Sequence, residues 1–291
     1  MGHTATPITN ILFPVDFSAS CVAMAPYVRR AATLFEAKVS LIHVFDPATY
    51  NGFELYTRRL PEITEEREEI ARDKLNAFLR AEFPVPEHPR ILLAGDAATK
   101  IADVARNGFD LIIVPTHGGL FRRMLLGSTA AKILNDADCP VVTSNHAQTI
   151  APRPFAHREW ICALGLSDDS ERVLGFAHQA AVKAHSNLHL IHAIQAADRD
   201  FPIQLDLEEK VFSEERKRAR QRIEDLQRRV GSQASVRIVV GPIKNTILEA
   251  ARRFDADVLI IGRGPGAGTY GRLRDLTYAV VRDSPFPVLS V

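Results

Sequence analysis

The chain is short of the residues that usually announce location or chemistry. It has three cysteines in 291 residues, Cys21, Cys139 and Cys162, and no C-x-x-C spacing. Three thiols cannot all pair, so a disulfide scaffold is excluded, and reduced, partly buried thiols of a cytosolic chain are expected. No apolar run approaches the ~20 residues that a membrane-spanning helix needs. The opening Met1-Gly-His-Thr-Ala-Thr-Pro7 has neither the basic nor the apolar region of a secretory leader, which predicts a cytoplasmic location. An excess of one charge is also missing: 36 Lys and Arg against 35 Asp and Glu leave a net charge of +1. That balance argues against nucleic acid and against anionic membrane as partners. There is no GxxxxGK[ST], and so no loop lysine to neutralise β- and γ-phosphates.

What is present is a long internal repeat. Asp110-Leu-Ile-Ile-Val-Pro-Thr-His-Gly-Gly119 and Asp257-Val-Leu-Ile-Ile-Gly-Arg-Gly-Pro-Gly266 read as one pattern. Asp110 and Asp257 stand 147 residues apart, as do Pro140 of Cys139-Pro-Val-Val142 and Pro287 of Phe286-Pro-Val-Leu289. The openings also match: Ile11-Leu-Phe-Pro-Val-Asp-Phe-Ser18 with Ile161-Cys-Ala-Leu-Gly-Leu-Ser167. Val39–Val44 matches Asn187–Ala193, and Ile91–Gly95 matches Ile238–Gly241. A repeat of this length is a duplicated domain rather than a solenoid unit. The boundary is expected in Asn145 to Glu159, where Pro152 and Pro154 sit among polar residues, giving domains 1–150 and 151–291.

In each half, short apolar runs alternate with longer amphipathic ones. Ile11–Val15, Val39–Val44, Ile91–Leu93, Leu111–Val114 and Val141–Val142 read as strands, their continuous apolar character suiting parallel strands covered on both faces. Ser20–Phe35, Thr64–Arg80, Thr99–Asn107 and Ser128–Asn135 read as helices, with Thr64 as a cap for the second. The charge runs Glu65 to Glu69 and Glu214 to Arg222 read as solvated helix faces. Strand–helix alternation predicts an α/β fold of two tandem, doubly wound parallel sheets. If the strand order is 3-2-1-4-5, ligands bind at the switch between strands one and four. Those strand ends carry Asp16 and the Gly118–Ser128 loop.

Gly118 and Gly119 can turn the chain close to a ligand, and Gly127-Ser128 opens a helix whose free N–H groups favour phosphate. Arg122 and Arg123 lie between and can reach terminal phosphates. The competing reading is a plain turn followed by a helix cap. Asp16 can accept from a ribose hydroxyl or an exocyclic amine; its competing reading is a cap for the following helix. Gly165 stands in its place in the second half, where Ser167 or Asp168 is available as the cap.

At Val15-Asp-Phe-Ser18, Thr116-His-Gly118, Leu125-Leu-Gly-Ser128 and Cys139-Pro-Val141 the chain resembles the universal stress protein family in its tandem form. The resemblance implies two five-stranded adenine-nucleotide alpha-hydrolase-like domains with strand order 3-2-1-4-5. It implies one ATP, or a related adenine nucleotide, per chain, with no metal beyond nucleotide-bound Mg. Asp16 would meet the adenine or ribose, Val44 would line the adenine pocket, and Gly118, Gly127 and Ser128 would hold the phosphates. Pro14, Val15, Val114, Pro115, Arg122 and Thr129 complete the expected nucleotide-binding set. Two features depart from the family pattern. Pro115 takes the place of the first loop glycine, and eight residues, Gly119 to Leu126, separate Gly118 from Gly127, one fewer than the pattern has. The second half keeps Gly262 but lacks the aspartate, the second glycine and the Gly-Ser pair, which implies fold without nucleotide. Family members are often described as dimerising through the last strand. Val141–Thr143 and Val288–Ser290 are therefore expected to pair as an internal pseudo-dimer, and a homodimer remains open.

No metal site is expected. His189 and His192, three apart on a strand, point to opposite faces, and His43 and His192 fall at equivalent strand ends, which favours structural roles. His117 in the loop can contact phosphate, act as a general acid, or only shape the loop. Ser18, Ser128 and Ser144 have no adjacent base. The expectation is a binding protein rather than an enzyme, with a nucleotide-free scaffold or a slow ATPase as alternatives.

Overall fold

The computed structural model describes residues 7–47, 60–116, 127–144, 158–195, 205–264 and 272–291, with the side chains of 60–62, 205–211 and 272–275 outside the description. The chain divides into two compact units that meet between Phe155 and Ala156. The expected linker around Pro152 and Pro154 lies outside the described residues.

The N-terminal unit runs β1 (Asn10–Pro14), α1 (Ala19–Phe35), β2 (Lys38–Phe45), α2 (Leu60–Ala77), β3 (Arg90–Ala94), α3 (Ala97–Ala105), β4 (Leu111–Pro115), α4 (Ser128–Asp136) and β5 (Val141–Ser144). Its strands pair in the order β3-β2-β1-β4-β5, all parallel. Ile11, Leu12 and Phe13 are each fully buried, as are Ile112 and Ile113. Successive strand residues point to opposite faces, so both faces of the central strands are covered. By contrast β3, with one neighbour in its unit, is half-buried along most of its length.

The C-terminal unit repeats the plan: β6 (Glu159–Ala163), α5 (Ser170–Lys183), β7 (Asn187–Ile194), α6 (Leu205–Val230), β8 (Ser235–Val240), α7 (Ile243–Arg253), β9 (Val258–Ile261), α8 (Arg272–Asp283) and β10 (Val288–Ser290). The order β8-β7-β6-β9-β10 is again parallel throughout, which is 3-2-1-4-5 in the unit's own count. Trp160, Ile161 and Cys162 bury the central strand on both faces.

Two helix starts differ from expectation. Thr64 does not cap α2 but lies inside it, because the helix already begins at Leu60. Ile63 is buried, and with Ala71 and Leu75 it starts the apolar stripe one residue before Thr64. Most of Glu65 to Glu69 and of Glu214 to Arg222 lie on exposed or half-exposed helix surface. In the second unit neither Ser167 nor Asp168 caps α5; the N-cap is Asp169, without a side-chain cap bond. Leu166 takes a left-handed φ of 55°, and the turn after it delays the helix to Ser170.

One aspartate in each unit clamps the sheet. Asp110 Oδ2 accepts from the N–H of Thr9 at 2.8 Å, from its hydroxyl at 2.7 Å and from the N–H of Asn10 at 3.0 Å. Asp257 Oδ2 accepts from the N–H groups of Arg158 at 2.7 Å and Glu159 at 3.1 Å. Each carboxylate thus satisfies donors where the first strand starts. Asp257→Ala should lower stability by ~1–3 kcal/mol, with partial recovery in Asp257→Asn, because a neutral acceptor replaces a charged one. An unchanged urea midpoint in the alanine variant would deny the clamp any energetic role.

At the end of α8, Asp283 is held to about 2 by Arg282, 2.7 Å away, and by Lys244 Nζ at 2.8 Å. The folded value lies below the ordinary 3.8. Its stabilisation is therefore present above about pH 4 and is lost as pH falls toward 2. Asp283→Asn should cost about 1 kcal/mol at neutral pH, allowing for partial exposure, much less near pH 2, and nothing well below it. Denaturant titrations of both proteins across that range would show the gap closing on acidification; a constant gap would contradict the pairing.

Candidate functional site

In the N-terminal unit the chain leaves β1 through Pro14 and Val15, both buried, and reaches the exposed Asp16. The turn is fixed on several sides. The N–H of Val15 donates to the Ile42 carbonyl at 2.8 Å. His43 Nδ1 lies 2.8 Å from the Val15 carbonyl oxygen. A carbonyl only accepts, so Nδ1 carries the proton. Phe17 is held at φ 64°, uncommon for a residue with a Cβ. Its ring lies 4.3 Å from that of His43 and meets Phe78 edge-on at 5.3 Å.

Asp16 Oδ1 accepts from the N–H of Ser18 at 3.0 Å and from the Cys21 thiol at 3.1 Å. The cap of α1 is Ser18, whose hydroxyl accepts from the N–H of Cys21. Asp16 therefore stands two residues ahead of the cap, with its orientation set by two donors. Burial pushes the Cys21 thiol up to about 12, so it is a neutral donor rather than a nucleophile. Sequence reasoning missed Cys21 as a partner of Asp16. The signal was its place one turn after the capping serine.

Strands β1 and β4 are neighbours, with Ile11 opposite Leu111. The Asp16 end of β1 is thereby brought beside Val114 and Pro115, both buried at the end of β4. Val44 is half-buried on β2. Gly127 is the N-cap of α4 and makes no side-chain cap bond; Ser128 and Thr129 follow as exposed first-turn residues. The first helical bond runs from the N–H of Ala131 to Gly127, which leaves the N–H groups of Ser128, Thr129 and Ala130 ahead of the ladder. Lys132, one turn on, is tied to Asp96 at 2.7 Å and to Thr99 at 3.0 Å. Gly118, Arg122, Arg123 and His117 lie outside the described residues.

The second unit keeps the turn and changes the chemistry. Leu166 repeats the left-handed conformation of Phe17, and His192 Nδ1 lies 2.8 Å from the Leu164 carbonyl as His43 does from Val15. Gly165 replaces the aspartate. The strand ends here enclose a cavity of about 150 Å³, lined by Gly165, Asp169, Ser170, His192, Gly262 and Thr277 together with aliphatic side chains. Asp169 and Ser170 were not singled out in the sequence as ligand residues, because their counterparts in the first unit, Ser20 and Cys21, belong to no motif.

His189 bonds Glu159 and Ser235 across neighbouring strands and stacks on Phe254 at 4.3 Å. No group of three or more potential metal ligands occurs among the described residues. Nor is any described helix long and apolar enough to cross a membrane. None of Cys21, Cys139 and Cys162 forms a disulfide.

A tandem pair of 3-2-1-4-5 parallel sheets, the first with an aspartate after its first strand and a Gly-Ser helix start after its fourth, defines a doubly wound α/β class of protein. The Universal stress protein family matches residues 7–144 and again 160–291, and the chain belongs to that family. A universal stress protein of Mycobacterium tuberculosis is 23% identical over 277 residues, covering 91% of this chain and 89% of the relative. One from Methanocaldococcus jannaschii is 31% identical over 138 residues, 46% of this chain and 79% of that protein. The fold also matches the crystal structure of a universal stress protein from Archaeoglobus fulgidus, with a TM-score of 0.64 and 21% identity over 97% of this chain and 95% of that one.

Proposed function

We propose that this protein binds ATP, or a related adenine nucleotide, in its N-terminal unit and acts in the cytoplasm as a stress-response protein without turning the nucleotide over. The observation that carries the reading is Asp16. It is an exposed carboxylate in a fixed orientation, at the switch point between β1 and β4 where ligands of such sheets bind. The unbonded first turn of α4, with Gly127, Ser128 and Thr129, is suited to the phosphates. Among the described residues nothing in this arrangement reads as a base for water, and ground-state grip without transition-state stabilisation gives binding rather than rate. The C-terminal unit, with Gly165 in place of the aspartate, has a structural or regulatory role. Mass spectrometry of small molecules released by heating the purified protein, with calorimetry against ATP, tests this. An adenine nucleotide and a stoichiometry near one are expected. Protein that neither carries nor takes up nucleotide would favour a scaffold, a role to which Pro115 is suited because it offers no N–H donor at the end of β4.

A further inference from the structure

In the C-terminal unit the cavity wall carries a carboxylate, Asp169, where the first unit has Ser20. The rest of the wall is largely aliphatic: Ile191, Ile243, Ile247, Ile261 and Val280 among them. Asp169 and Ser170 mark its polar end, at the start of α5. The Asp169 side chain is 15% exposed. Its Oδ1 accepts from the Ser167 hydroxyl at 2.6 Å, but Oδ2 has no hydrogen-bond partner among the described residues. Half-exposed Arg172 forms an ion pair with that oxygen at 3.7 Å, beyond hydrogen-bond reach, so the bonding capacity of Oδ2 is unused among the described residues. Ser170 is 2% exposed, and its hydroxyl is likewise without a partner among the described residues. Buried polar atoms are normally satisfied, so two orphans on the wall of one cavity point to a ligand that supplies the missing bonds.

The place of the carboxylate decides the ligand's charge. A Cβ built on Gly262 would lie 3.2 Å from Asp169 Oδ2 and 3.1 Å from Val173. The carboxylate thus lies against Gly262, the residue that follows β9, the position where a loop of this fold would approach a phosphate. A phosphate there would meet the Asp169 carboxylate at close range, and no lysine or arginine is among the described residues that line the cavity. His192 is fixed in orientation, its Nδ1 donating to the Leu164 carbonyl.

We propose that this cavity binds a small organic cation: a protonated amine on an apolar body about the size of one ring. The ammonium would donate to Asp169 Oδ2 and the Ser170 hydroxyl, and the ring would fill the aliphatic part. An apolar cavity of ~150 Å³ is large enough to take a benzene-sized guest. The inference concerns the C-terminal unit alone and stands whether or not the N-terminal unit takes nucleotide.

The test is ligand-observed NMR titration of the full chain with three isosteric probes, benzylammonium, benzyl alcohol and benzoate, and with AMP. Benzylammonium should bind at least about tenfold more tightly than benzyl alcohol, the usual gain from a charge-assisted bond to a buried carboxylate. Benzoate should bind more weakly than either. Asp169→Asn should remove the preference for the amine while benzyl alcohol still binds, which shows that the cavity is intact. Asp169 makes no side-chain cap bond, so the variant leaves α5 its start. Equal affinities for amine and benzoate, AMP displacing benzylammonium, or an amine preference that survives Asp169→Asn would each overturn the proposal.

Discussion

Phe13→Ala is expected to destabilise the N-terminal unit by ~3–5 kcal/mol, the range for truncating a buried aromatic side chain. Phe13 is fully buried on β1, paired in register with Leu41 of β2. Its ring lies 6.0 Å from that of Phe83, which is also fully buried. Phe83 lies in the segment between α2 and β3 and meets His88 edge-on at 5.2 Å. That segment is further held by Arg90, which donates to the carbonyls of Phe78 and Phe83 at 3.2 and 2.7 Å. Removing the Phe13 ring leaves Phe83 facing a void that a fixed segment cannot close. Phe13→Leu keeps much of the volume and should cost less than about 1.5 kcal/mol. Urea unfolding followed by far-UV circular dichroism gives both values. A cost for alanine no larger than that for leucine would mean that the segment collapses onto the void.

Asp16→Ala should weaken ATP binding by roughly ten- to a hundredfold, corresponding to ~1.5–3 kcal/mol for a lost charged hydrogen bond. The prediction rests on the orientation of the carboxylate as much as on its charge. Ser18 and Cys21 both donate to Oδ1, so the group is set before a ligand arrives and little side-chain freedom is lost on binding. Cys21→Ala removes one of these donors while leaving the carboxylate, and should lose affinity by a smaller factor. Calorimetry on the three proteins orders them. Equal affinity of wild type and Asp16→Ala would take Asp16 out of the site, and a Cys21→Ala loss as large as that of Asp16→Ala would mean that the thiol, not the carboxylate, is the important contact.

The strands were legible because parallel strands buried on both faces leave a continuous apolar run. Leu111–Val114 is such a run, and the structure extends it by one residue to Pro115. Asp110 and Asp257 were visible as repeat markers, but their grip on the first strand was not, because it joins residues about a hundred positions apart. The start of α2 was misread for a related reason. Thr64 is a good cap by propensity, but the burial of Ile63 made the preceding turn helical, and burial is a tertiary fact.

By itself the sequence determined the duplication, the α/β class, the family and the asymmetry between Asp16 and Gly165, since each is carried by residue identity and spacing. Only the tertiary structure decided what surrounds those positions. It set Cys21 against Asp16, tied Lys132 to Asp96, and brought Asp169 and Ser170 into a cavity beside Gly262. The last pairing spans some ninety residues and follows from β6 and β9 lying side by side in register. A motif can register the loss of a nucleotide loop, but a replacement carboxylate at a distant helix start becomes visible only when the strands that carry both are paired.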